Sequence, residues 1–297
     1  MQLMSGNAGF TGGVLDRADQ VRTNPALLAE AFADSRARLL VLDGLDPVLG
    51  EDGDLAWASL SPGRVPDDFI LLGMDEAGPV FAEISPNIPH AGTFAPRVWE
   101  LAQLLKSEAL ALYGCARSVI DWHKRHGFCA NCGMPTEVVK AGWSRRCVGC
   151  EAEHFPRVDP VTIMLAEHDG RILVGRQARF PAGRYSALAG FVEPGETIEE
   201  AVARELWEEA GIRVHSVRYI TSQPWPFPSS LMIACIGHTD DPTLTLDTTE
   251  IEDAKWVDAA GVRAALAGET DAPFMAPPPM AVAHTLLRHW IDGREQA

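Results

Sequence analysis

Basic residues and long apolar runs are both scarce in this chain of 297 residues. It contains 25 Lys and Arg against 41 Asp and Glu, which gives a formal net charge of −16. Because nonspecific affinity for nucleic acids comes mainly from basic side chains that neutralise phosphates, this balance argues against a general polyanion binder. No apolar stretch approaches the ~20 residues of a membrane-spanning helix, and residues 1–6 lack the basic and apolar regions of a leader. We therefore expect a cytoplasmic protein without a membrane partner.

Low-complexity runs and fixed-period repeats are also absent from the sequence. Its 46% hydrophobic and 22% charged content is ordinary for a globular chain. Since the chain is longer than one typical domain, we expect two or three domains that together bury a sizeable core.

Cysteine is scarce as well, but four of the six cysteines are regularly spaced. They form two Cys-x-x-Cys pairs, Cys129 with Cys132 and Cys147 with Cys150, separated by 14 residues. A disulfide framework would require an oxidising compartment, and a redox Cys-x-x-Cys motif would not need a second copy. The spacing is typical of a zinc ribbon and predicts a structural Zn²⁺ bound by all four thiolates, without an open coordination position.

Glutamate is concentrated in one segment, where seven Glu fall between positions 193 and 209. Thr197 followed by Glu200 is typical of a capping box at a helix start. Gly211 is typical of the left-handed residue that follows a helix end. The segment therefore predicts a helix bounded by Thr197 and Gly211.

The core-facing stripe of this predicted helix turns acidic toward its end. At ~100° per residue the stripe starts apolar and finishes with carboxylates: Ile198, Val202, Leu206, Glu205 and Glu209, with Glu208 at its edge. A solvated acidic face is the alternative, but the outward positions are taken by Glu200, Ala203 and Trp207. Like charges three or four residues apart oppose a helix by roughly 0.2–0.5 kcal/mol per pair, and burial adds to that cost. A divalent cation would offset both effects, so the pattern predicts a metal site.

A second informative segment is residues 222–230, Ser-Gln-Pro-Trp-Pro-Phe-Pro-Ser-Ser, which we call the proline strip. Its three prolines fix their own φ angles and favour extended backbone at the residues before them. A rigid segment that carries Trp225 and Phe227 suits stacking on a planar ring. The alternatives are an edge loop that packs its aromatics on the core, and a ligand for another domain, which the lack of PxxP spacing disfavours.

Short apolar runs bounded by turn residues predict the remaining elements. We expect strands at 39–42, 69–72, 80–84, 161–166 and 171–174, a turn at 168–170, and helices at about 96–123 and 280–291. Strands placed around the acidic helix favour an α+β fold with α-β-α layers.

Together these segments carry a family resemblance. Gly190 is followed after five residues by Glu196, and after seven more by Arg-Glu-Leu-Trp-Glu-Glu-Ala-Gly-Ile, which resembles the Nudix box at every defined position. With the proline strip and the cysteines, residues 35–292 resemble the NADH pyrophosphatases of the NudC type. The resemblance implies a divergent Nudix-like domain at 1–125, a zinc ribbon at 126–156 and a catalytic Nudix sandwich at 157–297.

The resemblance also implies an activity. Family members hydrolyse the pyrophosphate of NADH or NAD to NMN(H) and AMP, bacterial members also remove NAD caps from RNA 5′ ends, and members are typically homodimers. Catalytic Mg²⁺ or Mn²⁺ would act beside the structural Zn²⁺. The positions that match the metal ligands are Glu205, Glu208, Glu209, the Ala189 carbonyl, and Glu250 with Glu252 as its neighbouring alternative. Arg204 is expected to pair with a Glu such as Glu196 and so orient the carboxylates.

Substrate contacts implied by the resemblance lie outside the box. They are Phe155, Ala283, Gln223, Pro224, Trp225, Pro226, Phe227, Pro228, Ser229 and Ser230. The chain has Phe155 where the family often has Tyr, and Gly142 where some members place an acidic contact. Both departures bear on base selectivity rather than on the chemistry.

Two alternatives compete with NADH hydrolysis. A non-catalytic Nudix-like sensor would lose box carboxylates, all of which are present here. NAD-cap removal would use the same site and the same bond, and basic residues beside the ribbon would follow the RNA: Lys124, Arg125, Lys140, Arg145 and Arg146. The sequence leaves the choice of substrate open, as well as the choice of general base between Glu208 and Glu209.

The cysteine spacing generates a first prediction. The protein should retain one equivalent of zinc per chain through dialysis, and Cys129→Ser should lower stability or solubility before it alters the metal dependence of turnover. Metal analysis and thermal unfolding check this. Protein that is folded, active and free of zinc would contradict a structural zinc site.

Overall fold

The computed structural model describes residues 8–60, 64–84, 98, 100 and 103–295, which form two compact units. The unit that we call N-terminal holds the described residues between Gly12 and Val158 together with Trp225–Ser229. The C-terminal unit holds residues 8–11, Asp159–Pro224 and residues 230–295. The zinc-ribbon cysteines belong to the N-terminal unit. The division into three domains at 125 and 156 stays a prediction.

The described residues of the N-terminal unit combine helices with three small sheets. Its helices are α1 Asp19–Thr23, α2 Pro25–Ala33 and α3 Ser107–Arg125. Its strands are β1 Arg38–Leu40, β2 Leu42–Asp43, β3 Asp46–Pro47, β4 Trp57–Ser59, β5 Phe69–Asp75, β6 Gly78–Glu83, β7 Thr136–Val139, β8 Ser144–Cys147 and β9 Glu153–His154. One sheet has the order β4-β1-β6-β5 with β1 and β6 parallel, the ribbon forms β7-β8-β9, and β2 pairs with β3.

The predicted elements of this unit are confirmed in part. Strands β5 and β6 occupy the two predicted apolar runs, whereas the run at 39–42 divides into β1 and β2 at Val41, whose N–H bonds to Ala56. The helix predicted at about 96–123 is interrupted, because residues 98, 100, 103 and 104 are helical but Lys106 is extended, and α3 begins at Ser107. Most of residues 96–102 lie outside the described residues.

Gly142 and Trp143, which follow β7, fix the ribbon to strand β5. The Trp143 indole N–H donates to the Leu71 carbonyl at 2.7 Å. Gly142 has a φ of +86°, and a Cβ atom there would lie 2.8 to 3.0 Å from three atoms of Ile70. An acidic side chain is therefore sterically excluded at position 142, because both the backbone conformation and the packing require glycine.

The C-terminal unit is built on one mixed sheet. Its strands are β10 Asp159–His168, β11 Arg171–Arg176, β12 Leu188–Phe191, β13 Ser216–Trp225, β14 Ser230–His238 and β15 Asp253–Asp258. The order is β13-β14-β10-β11-β15, with β12 paired to the first half of β10 and with β10 parallel to β14. The predicted hairpin turn is confirmed, since Asp169 and Gly170 both have positive φ between β10 and β11.

Helices cover both faces of this sheet, in the predicted α-β-α layering. They are α4 Ile198–Ala210, α5 Ala259–Ala267 and α6 Val282–Glu295. Alternation along β10 sends Met164 into the core beneath α4 and Leu165 into the core that contains residues of α5 and α6. Across residues 8–60, 64–84 and 103–295, no helix is both long and apolar enough to span a membrane.

Buried His123 at the end of α3 connects the helix to the ribbon. Its Nε2 lies 2.7 Å from the Gly142 carbonyl and its Nδ1 lies 3.0 Å from Arg145 Nη1. Since a guanidinium only donates, Nδ1 must accept and Nε2 must carry the proton, which fixes the neutral tautomer. Desolvation is the main cause that lowers the pKa of His123 to about 4.

This lowered pKa predicts a pH-dependent stability. An unfolded His binds a proton near pH 6.5, whereas folded His123 resists protonation until about pH 4. The stabilisation is complete above pH 6.5 and decreases as the pH falls toward 4, by about 2 kcal/mol at pH 5. Urea unfolding at pH 7 and pH 5 should show that His123→Gln, which keeps a donor and an acceptor, loses less stability than the wild type. The exposed His289→Gln is the control, and equal losses in all three proteins would refute the assignment.

Candidate metal centre

The box helix α4 begins and ends as predicted. Glu200 N–H donates to Thr197 Oγ1 at 3.2 Å, and Thr197 N–H donates to Glu200 Oε2 at 2.7 Å, which completes the capping box. Gly211 has a φ of 72° and its N–H bonds to the carbonyls of Leu206 and Trp207. The helix bounds thus follow from local hydrogen bonds that the sequence encodes.

The acidic core-facing stripe is also confirmed. Glu205 is 9% exposed and Glu209 is 3% exposed, beside the fully buried Val202 and Leu206. Glu208 is exposed, in agreement with its predicted place at the edge of the stripe. Two carboxylates therefore lie where a helix normally packs apolar side chains.

Arg204 organises the carboxylates around it. Its guanidinium bonds to Glu196 at 2.6 and 3.0 Å, to Glu205 at 2.8 Å and to Glu208 at 3.0 Å. Its Nη2 also donates to the Phe191 carbonyl at 2.9 Å. The hydrogen bond from Arg204, followed by that from the Glu193 N–H, lowers the pKa of Glu196 to about 2. Arg204 therefore pairs with Glu196, as the sequence predicts, and fixes Glu205 by a direct hydrogen bond.

Gly190 on β12 leaves the space that Glu205 occupies. A Cβ atom at Gly190 would overlap the carboxylate carbon and both carboxylate oxygens of Glu205. The Gly190 carbonyl accepts a hydrogen bond from Thr162 Oγ1 at 3.3 Å, and its neighbour Ala189 pairs with Ile163 in the sheet. The glycine of the box is therefore required because helix α4 and strand β12 approach closely at Glu205.

Among the box carboxylates Glu205, Glu208 and Glu209, Arg204 bonds to the first two and not to Glu209. Desolvation, then the charges of Glu205 and Glu250, raise the pKa of Glu209 to about 8. Its Oε2 atom is buried and has no hydrogen-bond partner among the described residues. An ionised carboxylate in this position requires a positive partner, which a divalent cation with oxygen ligands would supply. The site therefore fits the predicted metal.

The loop before β15 contributes further acidic groups. The charge of Glu250 raises the pKa values of both Glu205 and Glu209. Glu252, the alternative distant ligand, instead forms an ion pair of 2.5 Å with Arg176. Asp247, which the sequence interpretation missed, also raises the pKa of Glu209, and its N–H bonds to the Glu209 carbonyl at 3.0 Å. The charge of Glu250, rather than that of Glu252, therefore acts on the buried carboxylates, and only the folded loop reveals this.

The ribbon cysteines form a second and more compact ligand group. All four Sγ atoms lie within 4.8 Å of one another, which is true of no set of three carboxylates in the described part of the chain. Cys129 Sγ lies 3.7 Å from Cys150 Sγ, and Cys132 Sγ lies 3.4 Å from Cys147 Sγ. Tetrahedral Zn–S bonds of ~2.3 Å place sulfurs about 3.8 Å apart, and a disulfide would require ~2.05 Å. The residues therefore fit a zinc ion.

Within the proline strip, the side chain of Gln223 is hydrogen-bonded to the backbone of the C-terminal unit. Gln223 is 1% exposed, and its amide donates to the carbonyls of Gly9 and Met280 and accepts from the Val282 N–H. These bonds, at 2.7 to 2.9 Å, occupy both ends of the side chain. Gln223 therefore connects residues 8–11 to the start of α6 and has a structural role, where the resemblance implied a substrate contact.

The turn at residues 225–229 is held within the N-terminal unit. Arg117, which is buried, donates to the Pro226 carbonyl at 2.9 Å, and its guanidinium lies 4.7 Å from the Phe227 ring centroid. The Trp225 and Phe227 rings meet edge to face with centroids 5.3 Å apart. Phe227 thus has one face against a cation and its ring against Trp225, and stacking of either ring on a substrate stays a prediction.

The remaining predicted contacts differ in accessibility. Phe155 is 59% exposed, with Lys140 Nζ 5.2 Å from its ring centroid. Ala283 is 3% exposed and its methyl group packs in the core rather than facing a ligand. Phe191, directly after Gly190, is 61% exposed beside the carboxylates. Sequence interpretation passed over Phe191, although its outward position on a short strand was the available signal.

The basic residues beside the ribbon are largely engaged. Arg125 pairs with Asp121, and Lys140 Nζ bonds to Glu153 at 2.7 Å. Arg145 donates to Thr136 Oγ1 at 2.7 Å in addition to its contact with the His123 ring. Their charges therefore serve contacts within the ribbon and its neighbouring helix.

Known protein families match two regions of the chain. Residues 156–276 match the NUDIX domain, and residues 124–155 match the NADH pyrophosphatase zinc ribbon domain. A crystal structure of a NUDIX hydrolase from Nitrosomonas europaea is similar with a TM-score of 0.45 and 21% identity, over 57% of this chain and 93% of that one. The two family matches and the box define a Nudix hydrolase with an attached zinc ribbon.

Curated relatives define the family further. The NAD-capped RNA hydrolase NudC of Mycobacterium bovis is 36% identical over 296 residues, which cover 93% of this chain and 92% of the relative. NAD-capped RNA hydrolase NUDT12 of Homo sapiens is 40% identical over 86% of this chain, and NAD(P)H pyrophosphatase NUDT13, mitochondrial, of Mus musculus is 38% identical over 75% of it. The chain spans about half the length of the NUDT12 relatives, 54% for the human protein. It belongs to the NudC family of Nudix hydrolases.

The close approach at Gly190 generates a prediction. Gly190→Ala should displace the Glu205 carboxylate and lower metal-dependent hydrolysis roughly a hundredfold, since one misplaced ligand distorts the whole cation site. Stability should change by only about 1 kcal/mol, because the overlap is with the end of a side chain.

Steady-state rates and thermal unfolding measure the two effects. Gly293→Ala is the matched control, because no atom lies within 4 Å of the added Cβ there. Retention of wild-type rates by Gly190→Ala would contradict the assignment of Glu205 to the metal site.

Proposed function

We propose that the protein hydrolyses the pyrophosphate bond of NADH and NAD to give NMN(H) and AMP, with Mg²⁺ or Mn²⁺ as the catalytic metal. The observation that carries the proposal is the pair of buried carboxylates, Glu205 and Glu209, on the core-facing side of the box helix. The pyrophosphatase names of the relatives and of the ribbon family support the substrate class.

Each box residue has a separate task in this proposal. Glu205, Glu208, Glu209 and Glu250, with the Ala189 carbonyl, would hold the divalent metal. When bound, the metal supplies charge neutralisation at the pyrophosphate oxygens and lowers the pKa of an attacking water. Arg204 keeps Glu205 and Glu208 in place through direct hydrogen bonds. Glu208 and Glu209 are both candidates for accepting the proton of the water.

Hydrolysis itself needs no covalent intermediate. Water adds to one phosphorus, the bond from that phosphorus to the bridging oxygen breaks, and the leaving phosphate takes the electron pair. Positioning and electrostatics therefore account for the catalysis. The exposed rings of Phe191 and Phe155, together with Trp225, are the proposed contacts to the nicotinamide and adenine bases.

Removal of NAD caps from RNA is the second candidate function. It uses the same bond, and the NudC and NUDT12 relatives bear that name. Because Arg125, Lys140 and Arg145 already bond to neighbouring side chains, the basic residues beside the ribbon support RNA binding less than the sequence suggests. The proposal also includes a cytoplasmic location, where thiols stay reduced and so can bind zinc, and assembly as a homodimer.

A panel of substrates tests the function. Values of kcat/KM for NADH, NAD, diadenosine compounds and NAD-capped RNA should show cleavage of the NAD-containing pyrophosphates with Mg²⁺ or Mn²⁺. Zinc-loaded, folded protein that cleaves none of the NAD-containing substrates would refute the proposal. A kcat/KM for capped RNA far above that for NADH would establish decapping as the main function.

Glu209 provides the sharpest test of the mechanism. Glu209→Gln keeps the shape and removes one charge, so turnover should fall roughly a hundredfold or more with a modest change in NADH binding. Metal-free thermal stability should stay level or rise, because the variant lacks the buried carboxyl whose ionisation desolvation and the neighbouring carboxylates oppose.

Glu199→Gln is the matched control, since Glu199 is exposed on the same helix. It should leave both turnover and the metal-free unfolding temperature near wild type. If Glu209→Gln lowered stability and activity together, the carboxylate would be part of a structural ion pair rather than a metal site.

A further inference from the structure

His154 contacts a cysteine of the zinc ribbon without belonging to the Cys-x-x-Cys motifs. Its Nε2 lies 3.2 Å from Cys129 Sγ, within hydrogen-bond range for a sulfur acceptor. Cys129 is 4% exposed, so water has little access to that sulfur. Because a zinc-bound thiolate has no proton, the contact requires an N–H on Nε2 of His154 that points at the sulfur.

The ribbon sulfurs also accept hydrogen bonds from donors other than His154. Cys147 Sγ accepts from the N–H groups of Gly149 and Cys150 at 3.3 and 3.4 Å. Cys129 Sγ accepts from the Asn131 N–H at 3.4 Å, and Asn131 Nδ2 lies 3.6 Å from Cys150 Sγ. Of these donors, His154 makes the shortest contact. Four thiolates around Zn²⁺ leave a net charge of −2, which donors of this kind partly neutralise.

The backbone of His154 is fixed independently of its ring. His154 pairs with Arg145 in the ribbon sheet, and its carbonyl accepts from Ser144 Oγ at 3.2 Å. Exposure alternates along this segment, so that Glu153 and Phe155 are exposed while His154 is turned inward. The imidazole is thus held against the sulfur by the strand.

We propose that His154 is a positioning residue of the zinc centre, which slows loss of the metal by donating a hydrogen bond to Cys129. The donor lowers the charge and nucleophilicity of the sulfur, which stabilises the Zn–S bond against exchange. Because the strand fixes the backbone without the ring, the effect of the imidazole falls on the metal site rather than on the fold of the segment.

Zinc transfer to a coloured chelator tests the proposal without any activity measurement. His154→Leu should release zinc about tenfold faster than the wild type and should increase the alkylation rate of the cysteines. His154→Gln, which retains an N–H donor of similar reach, should remain near the wild-type rate. Glu153→Gln is the matched control on the same strand, since its side chain bonds to Lys140 rather than to sulfur. Equal release rates for the wild type and His154→Leu would overturn the proposal.

Cadmium-substituted wild-type protein gives an answer that does not depend on the folding of a variant. An N–H···S hydrogen bond should appear in NMR as a slowly exchanging imidazole proton with scalar coupling to the cadmium. Absence of that coupling would overturn the donor assignment.

Discussion

Two carboxylates buried on one helix impose the main constraint on the C-terminal unit. Glu205 and Glu209 interrupt an apolar stripe, and their burial is tolerated because neighbouring groups compensate the charge. Arg204 compensates Glu205 through a direct hydrogen bond, while Glu209 retains an unpartnered oxygen and a raised pKa. The helix is therefore incomplete as a packing element, and its unpartnered buried carboxylate fits a cation. A local violation of packing rules identifies a functional position here, because no stability argument explains it.

The zinc ribbon meets a different constraint, since a segment of about 30 residues cannot bury enough apolar surface to fold by itself. The four sulfurs supply one part of the stabilisation, and backbone and imidazole donors orient them. Contacts with the rest of the N-terminal unit supply the other part. Trp143 bonds to the β5 strand, Gly142 packs closely against Ile70, and the neutral ring of His123 bridges helix and ribbon. The ribbon is thereby a fixed structural element, on which the substrate-contact candidate Phe155 is held.

Rigidity of the proline strip has two origins. Prolines restrict the backbone of residues 222–230, as the sequence indicates. Gln223 then bonds the first part of the strip to the C-terminal unit, and Arg117 bonds the turn at residues 225–229 to the N-terminal unit. Their buried polar groups are satisfied by backbone partners, which explains why polar residues are tolerated there. Gln223 is therefore architectural, and the stacking of Trp225 on a substrate ring stays a prediction.

The sequence by itself determined the features that depend on neighbours within a few residues. The capping box at Thr197, the terminal Gly211, the acidic stripe and the cysteine spacing all follow from helix periodicity and local hydrogen bonding, and the structure has each of them. Tertiary structure alone decided which distant groups join them. The clearance at Gly190, the charge of Glu250 rather than Glu252 beside Glu209, the backbone bonds of Gln223 and the contact of His154 with Cys129 join segments far apart in the chain. Residue spacing carries no information about such contacts, because loop conformation and sheet order set them, and these depend on the packing of the whole unit.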